Sequence, residues 1–589
     1  MVDIKQKTPL ERKQLKRWQL GQLAVAIVIF ALLFFVSSRL FFRIDLTEEN
    51  RFTIHPSTKS SVQNLEDIVF LKVYLDGDLP SDFKELRQSV LDILNEFRAF
   101  APEKIQFDFV NPSEDPDQNV RREIYKDLIK KGLQPYTIRT EEKDGIVQKY
   151  VFPSITINFR EKQIHVNLFS NSADDPNIPL AQLVNGAKER LEYTLLNAIR
   201  SITMKKPTSI TFLDGWGGLE PIETYDIAVA LAEMYSVSYV DIDEKVFALV
   251  DTLQGLRYDA VIIAKPYNKI SDKNKYIIDQ YVMNGGKILW LLDYVDVNMD
   301  SLSNSRTTTA MPRSRELNLD DMLFKWGVRI NTTIIQDLQS ASIPINTAMA
   351  GAEPQFNPVK WVYFPVVLPL ADHAITKLVG KIKTEFPSSL DTIPTATKVD
   401  KKILLKTSEY SRAITTPTII DLDIINKRPN PSTFKSFPIP IAVLLEGEFE
   451  SIFRHRIVDE ISKNPLFRFK ETSKKTAMIV VSDGDIIKNY ISKIERNIVP
   501  YPLGADKWFK NVYYNGNKEF ILNAVNYLTN DNDLLVLRGR KLKLRLLDRT
   551  KVVKERLNWQ IINVVFPPVL IILIGIIYGY FRHRKYSKR

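Results

Sequence analysis

The chain reads as an α/β protein anchored in a membrane at both ends, and three observations predict this. Apolar stretches at residues 20–36 and 561–581 lie at opposite ends of 589 residues, each with a basic cluster on its terminal side. Between them, short runs rich in Val, Ile, Phe and Leu alternate with segments whose apolar residues recur at helical spacing. The apolar content of 44% supplies several cores, so roughly three or four domains are expected.

The first apolar stretch continues through Ser37, Ser38 and Arg39 to Phe42. A helix over residues 20–42 is long enough for a ~30 Å hydrocarbon core. Lys5, Lys7, Arg12, Lys13, Lys16 and Arg17 precede it, and the positive-inside rule places the tail of residues 1–19 in the cytoplasm. No small-residue cleavage site follows, so an uncleaved anchor is predicted rather than a signal peptide. The second span, residues 559–581, precedes a tail, 582–589, carrying Arg582, Arg584, Lys585, Lys588 and Arg589. Both termini are then cytoplasmic, and the large region between the spans lies in the periplasm of a bacterial inner membrane. Asn563, Pro567 and Pro568 are poor residues for a helix facing lipid alone, because proline frees backbone carbonyls. Two readings stand there: contact with a partner helix in the membrane, and a simple kink near the membrane surface.

The formal charge of +11 is concentrated in three places: the two tails and a juxtamembrane segment, residues 536–558, with nine Lys and Arg between Arg538 and Arg556. The rest of the chain is acidic on balance, and nothing suggests a nucleic-acid partner. In the juxtamembrane segment Lys541, Leu542, Lys543, Leu544, Arg545 and Leu546 alternate with the period of a strand. Its cations are placed to meet anionic lipid headgroups, or form a solvated strand face. There is no cysteine, which excludes disulfides, thiol nucleophiles and thiolate metal sites. The five histidines are scattered without i, i+4 pairing, so no zinc motif is present, and no cofactor is expected.

A first domain is read over residues 43–205. Residues 68–77 read as a strand, 82–100 as a helix, 105–112 as a strand, 117–131 as a helix, 151–160 and 162–169 as a hairpin, and 187–204 as a helix. In the last helix Leu191, Leu195, Ala198, Ile199 and Ile202 form one face. This order resembles the thioredoxin fold, and Pro153 stands where that fold carries a cis-proline, so a cis bond is predicted between Phe152 and Pro153. Without cysteine the domain is a binding or docking scaffold.

A second domain begins at residues 206–300. Strands at 209–215, 237–242, 258–266 and 287–293 alternate with helices at 223–235 and 272–284. Continuous apolar strands of this kind indicate a parallel sheet covered on both faces. Such sheets bind ligands at the carboxyl ends of their strands. Asp214, Gly215, Trp216, Gly217 and Gly218, with Lys265, Pro266 and Asp293, therefore form the expected cleft rim for a ligand or partner. The DGWGG turn lacks a P-loop lysine and the GxGxxG spacing, so it is also read as a plain tight strand-to-helix turn. Residues 301–470 are read as an insertion with irregular proline-rich chain at 351–400 and strands at 403–411 and 439–449. Residues 471–535, with a strand at 478 onward and a helix at 517–528, complete the sheet. Asp483 and Asp485 end that strand, but two carboxylates alone make a poor metal site. The architecture is similar to amidotransferase-like and flavodoxin-like parallel-sheet domains. Hydrolases of the amidotransferase kind need a cysteine nucleophile, and no G-x-S-x-G segment replaces it.

Several segments taken together carry a family resemblance. RIDLTEENRFTI, LKVYLDGDLP, LNEFRAF, NPSEDP and LEYTLLNAIR lie in the first domain. FLDGWGGLE, YVMNGGKILWLLD, ILLKTSEYS, AVLLEGEFES and FILNAVNYL lie in the second. As a set, over residues 43 to about 549, they resemble the gliding-motility-associated ABC transporter auxiliary proteins of the GldG type. The resemblance implies a non-enzymatic extracytoplasmic subunit in Bacteroidetes-like bacteria, with an ABC permease and a cytoplasmic ATPase as partners. Related proteins often carry a histidine in the glycine-rich turn, where this chain has Trp216. Two other function classes are carried alongside: a saccharide or peptide receptor using Trp216, and a hydrolase of amidotransferase-like ancestry.

Overall fold

The computed structural model describes residues 54–529 apart from 143–144, 170–178, 205–207, 243–244, 252–254, 305–308, 349–352, 370–371, 378, 427–429, 435–436, 455, 457–468, 495–496 and 510. It also describes parts of 18–32, residues 555–556 and residues 559–586. The predicted N-terminal span and the basic segment fall largely outside these residues. The chain divides into a large unit, Met1–Arg540, and a small one, Lys541–Arg589.

The first domain runs α1 (Pro56–Gln63), β1 (Val69–Val73), α2 (Ser81–Phe100), β2 (Ile105–Phe109) and α3 (Gln118–Lys130). A hairpin of β3 (Tyr136–Glu142) and β4 (Gly145–Val151) follows, then a second hairpin of β5 (Ser154–Phe159) and β6 (Lys162–Asn167), then α4 (Leu180–Thr203). The sheet has the order β2-β1-β5-β6, with β1 parallel to β2 and antiparallel to β5. Alternation along the strands sends Val69, Leu71, Val73, Ile155 and Ile157 to one face. There they meet Phe83, Leu86 and Val90 of α2 and Leu191, Leu195 and Ile199 of α4 in one buried cluster. Each such side chain, fully buried, stabilises by roughly 1.5–3 kcal/mol. Glu192 of α4 ties the chain entry to this core, accepting from His55 N and Thr58 Oγ1, each at 2.7 Å.

The bond between Phe152 and Pro153 is trans, contrary to the expectation from the sequence; among the described residues the cis bond is Thr416–Pro417. The reason is local. Ser154 N donates to Phe152 O at 2.8 Å, closing a three-residue turn around Pro153, and Leu168 N donates to Pro153 O at 2.8 Å. The Phe152 ring is buried 5.5 Å from Tyr125 of α3. The ordinary bond, favoured by about 0.5–1 kcal/mol before proline, already delivers the chain from β4 into β5.

The second domain opens with β7 (Ser209–Asp214), α5 (Tyr225–Ala232), β8 (Ser236–Asp241), β9 (Ala260–Ala264), α6 (Asp272–Met283) and β10 (Lys287–Leu291). It continues through α7 (Asp320–Trp326), a long hairpin of β11 (Ser340–Asn346) and β12 (Phe356–Val367), β13 (Val399–Lys406) and β14 (Pro440–Gly447). It closes with β15 (Thr476–Val481) and α8 (Gly516–Leu528). Seven strands make one sheet in the order β13-β14-β15-β10-β9-β7-β8. The five from β15 to β8 are parallel, while β14 runs antiparallel to both β15 and β13. The stretch read as an insertion therefore supplies two strands of the main sheet.

Period-two alternation splits the sheet into two cores. Ile210, Ile262, Leu289, Leu444 and Ile479 face α5 and α8, which contribute Ile227, Leu231, Phe520 and Val525. Val261, Ile263, Trp290, Val443 and Val480 face α6 and α7, which contribute Ile278, Tyr281, Met322 and Trp326.

In the small unit a π-helical turn, Ile561–Val565, leads into α9 (Phe566–Tyr586). The helix Ile561–Arg584 is long and apolar enough to cross a membrane. Its 24 residues span about 36 Å against a ~30 Å hydrocarbon core. Asn563 lies in the π turn, and Pro567 and Pro568 follow directly after it. Widened turns of this kind are how apolar helices accommodate prolines.

Candidate functional site

The chain order puts β8 on one side of β7 and β9 on the other, so a topological switch point falls between β7 and β9. That is where parallel sheets open a crevice beyond their carboxyl ends. Here backbone closes much of it. Trp216 O accepts from both Tyr267 N at 2.9 Å and Asn268 N at 2.8 Å, stitching the loop after β7 to the loop after β9. Gly215 and Gly217 adopt left-handed backbone, with φ of +102° and +63°. Gly218 sits so close to β9 that a Cβ would lie 2.7 Å from Ala264 O. Gly218→Ala is therefore expected to cost about 1–3 kcal/mol by forcing two backbones apart, read as a lower denaturant midpoint. A shallow pocket remains, lined in part by Phe212, Asp214, Trp216, Tyr239 and Pro266. Asp214 is exposed, its Oδ1 accepting from Gly215 N at 2.7 Å. Trp216 is only 5% exposed and belongs to the core facing α6 and α7, so little of it is open to this pocket.

The charged rim residues behave differently. Lys265, one residue beyond β9, and Asp293, two beyond β10, meet at 3.1 Å, and Lys265 Nζ also reaches Asp485 Oδ2 at 2.5 Å. Asp485 stands in the loop after β15, whose Gly484 N donates to Asp293 Oδ1 at 2.6 Å. The neighbouring Asp483 accepts from Asp485 N at 2.8 Å and from Glu385 N at 2.9 Å. Glu385 accepts from the Tyr490 hydroxyl and pairs with Lys383 Nζ at 2.9 Å. Lys383 in turn donates to Tyr490 Oη at 3.0 Å and lies 3.6 Å from Asp506 Oδ2. The rings of Phe364, Tyr490 and Trp508 stand 5.0, 5.3 and 5.5 Å from the Lys383 ammonium.

Burial and charge set the protonation of this cluster. Burial pulls the Lys265 pKa down, but Asp293 and Asp485 outweigh it and hold the ammonium above the ordinary lysine value. Burial pushes the Asp485 carboxyl up to about 6 against the pull of Lys265. Asp483 is pushed well above the ordinary carboxylate range by burial and then by Asp485 and Asp293. Lys383 is raised because Glu385 and Asp506 offset its burial, and Glu385 is lowered because Lys383 and Tyr490 offset its own. Two non-glycine residues here, Lys265 at φ +51° and Phe386 at +52°, hold left-handed backbone. Such strain, about 1–3 kcal/mol each, persists where surrounding contacts over-determine it.

This chemistry excludes two roles for Lys265. Clamped between carboxylates and protonated, it is neither a nucleophile nor a general base. Ligand oxygens of Asp293, Asp483 and Asp485 lie within 4.8 Å of one another, the spacing of a cation site. The Lys265 ammonium already pairs with two of the three, so the donor set does not fit a divalent metal as it stands. Of the rim residues read from the sequence, the structure joins Lys265 and Asp293, while the turn at 214–218 packs against the chain at 264–268. Glu385, Lys383, Tyr490 and Asp506 carried no sequence signal. Asp483 and Asp485 carried one, the SDGD segment ending an apolar strand, and the fold supplies the third carboxylate.

A family described as an ABC-type uncharacterized transport system matches residues 207–524, more than half of the chain. The chain belongs to this family. The ABC transport auxiliary match runs from β7 into α8 and includes β13 and β14. A second family, a domain of unknown function, matches residues 48–158 in the first domain. Membership implies association with transporter components. No curated protein matches the chain. Among solved structures, the mmIFT52 N-terminal domain is similar at 11% identity and a TM-score of 0.29, covering 55% of this chain and 97% of that one. PurLQS from Thermotoga maritima is similar at 10% identity and a TM-score of 0.21, covering 55% and 100%.

Proposed function

We propose that this chain is a non-enzymatic, extracytoplasmic auxiliary subunit of an ABC-type complex. It is held in a bacterial inner membrane by helices at both ends and works beside a permease and a cytoplasmic ATPase in gliding motility. The family match over residues 207–524 carries the reading. The C-terminal apolar helix supports anchoring. The order β2-β1-β5-β6, with α2 and α4 packed on one face, supports a thioredoxin-like docking domain, which without cysteine has no redox role. The five parallel strands between helices support the amidotransferase-like or flavodoxin-like description of the second domain. A hydrolase is disfavoured by the missing nucleophile and by the clamped Lys265. A receptor built on Trp216 is disfavoured by the burial of that ring.

The test is a mild-detergent pull-down of the tagged full-length chain from its native membrane, with partners identified by mass spectrometry. A polytopic permease and an ATPase recovered in fixed ratio is the expected result. Recovery of the chain alone, together with saturable binding of a saccharide or peptide, would overturn the subunit reading.

A further inference from the structure

The seven-stranded sheet ends differently at its two edges. At one edge β13 carries Lys401, Lys402 and Lys406 and two register shifts against β14, devices that keep further strands from pairing. At the other, β8 reads SVSYVD, without lysine or proline, and pairs with β7 in unbroken register. Ser236 N donates to Thr208 O at 2.9 Å, so residues 236, 238 and 240 bond to β7, and the backbone of Val237 and Tyr239 points away from the sheet. Tyr239 stacks on Phe212 with ring centroids 4.8 Å apart and is still 36% exposed. Among the described residues no strand pairs with the outer side of β8.

We infer that residues 533–538, DLLVLR, fill this edge as an eighth strand parallel to β8. These residues lie outside the described ones, and the surrounding structure selects them. Helix α8 ends where such a strand would start. Tyr235, the residue before β8, donates from its hydroxyl to Asn526 Oδ1 at 2.8 Å, and the same hydroxyl lies 3.1 Å from Thr529 Oγ1. Beyond Thr529 come Asn530, Asp531 and Asn532, residue types that favour turns. They allow about 13 Å of travel to Asp533, against the ~4.8 Å between neighbouring strands.

The handedness of crossovers gives the same edge. Helix α5 carries the chain from β7 to its neighbour β8, and α8 packs on the same face of the sheet as α5. A right-handed crossover from β15 over that face must move in the direction that leads from β7 to β8. The places of β10, β9, β7 and β8 are filled, so the first vacant parallel place lies beyond β8. The segment also fits chemically. Leu534, Leu535, Val536 and Leu537 supply apolar side chains to lie over Tyr239. A parallel strand brings Arg538 and Arg540 to the carboxyl end of β8, where Asp241 and Asp214 are exposed and Asp214 has no cation partner among the described residues. The chain then leaves the domain at that end of β8, whatever complex it serves.

The absence of native cysteine makes the test direct. In the full-length protein in lipid nanodiscs, Ser238→Cys is combined in turn with Leu534→Cys, Leu535→Cys, Val536→Cys and Leu537→Cys, and each variant is exposed to a mild oxidant. A disulfide needs Cα atoms roughly 4.4–6.8 Å apart and side chains on one face. Intrachain bonds, read by intact mass and lost thiol labelling, are therefore expected in alternate variants, at least tenfold faster than in the two between them. Amides of Val237 and Tyr239 should also exchange at least tenfold faster in a Leu535→Pro/Val536→Pro variant than in wild type, because proline removes strand hydrogen bonds, while amides of β9 keep their rates. No intrachain bond in any variant, or equal rates in all four, would overturn the eighth strand. So would bonds that form only between chains, which assign the edge to a second copy, or wild-type Val237 and Tyr239 amides that exchange as fast as those of the proline variant.

Discussion

Replacing Lys265 by Met is expected to destabilise the domain spanning residues 207–524 by about 3–5 kcal/mol at neutral pH. Removing one partner of a buried ion pair strands the other, and here Asp293 and Asp485 would both lose their counterion. Methionine roughly matches the aliphatic stem, so the loss is electrostatic rather than a cavity effect. The deficit should shrink as pH falls towards about 6, because without the lysine Asp485 binds a proton at higher pH than it does in the native chain. Tryptophan fluorescence distinguishes this domain from the first. Trp216, Trp290, Trp326, Trp361 and Trp508 all lie in it, and the first domain has none. An unchanged denaturant midpoint at neutral pH would show that the lysine is not the counterion of the cluster.

The second large effect is expected in the core beneath the site. Trp290 of β10 is fully buried, its ring 6.4 Å from that of Trp326 of α7, whose ring in turn packs against Phe449 at 6.2 Å. Trp290→Ala should cost about 3–5 kcal/mol, as large-to-small changes in a packed core leave a void that neighbours fill only in part. Trp290→Phe should cost distinctly less than Trp290→Ala. It keeps most of the ring volume and removes the indole N–H, which is buried without a hydrogen-bond partner. Urea unfolding of the three proteins orders them directly. Equal losses for Phe and Ala would mean that ring volume is not what holds α7 to the sheet.

Much of the architecture was legible in the sequence. The runs at 209–215, 258–266 and 287–293 are apolar throughout, as strands covered on both faces must be, and they appear as β7, β9 and β10. The amphipathic helices α2, α3 and α6 were readable for the same reason, and in each the bounds fall within a few residues of the expected ones. Helix α4 starts at Leu180 rather than at residue 187, because Pro179 sets its first turn and Leu183 and Val184 extend its buried face. The β3/β4 hairpin and the β11/β12 hairpin were missed. The first has no strong alternation, and the second holds prolines at 344, 358 and 365 that read as breaks. The cis expectation at Pro153 failed because it rested on analogy, while the turn that Ser154 N closes onto Phe152 O needs no cis bond.

The candidate site was legible only in outline. Lys265 and Asp293 stand at the ends of apolar strands, so the topology rule found them. Glu385, Lys383 and Asp506 lie in chain with no periodicity, and their roles come from being buried together.

By itself the sequence determined the central parallel strands, most of the helices and an apolar helix long enough for a membrane, and it excluded all cysteine chemistry. Those are local properties, set by side-chain spacing and by which residue types are present. Only the tertiary structure decided that β13 and β14 join the main sheet, that Trp216 belongs to a core, and that five carboxylates close around two lysines. Those depend on pairings between residues far apart in the chain, for which spacing along the sequence carries no information.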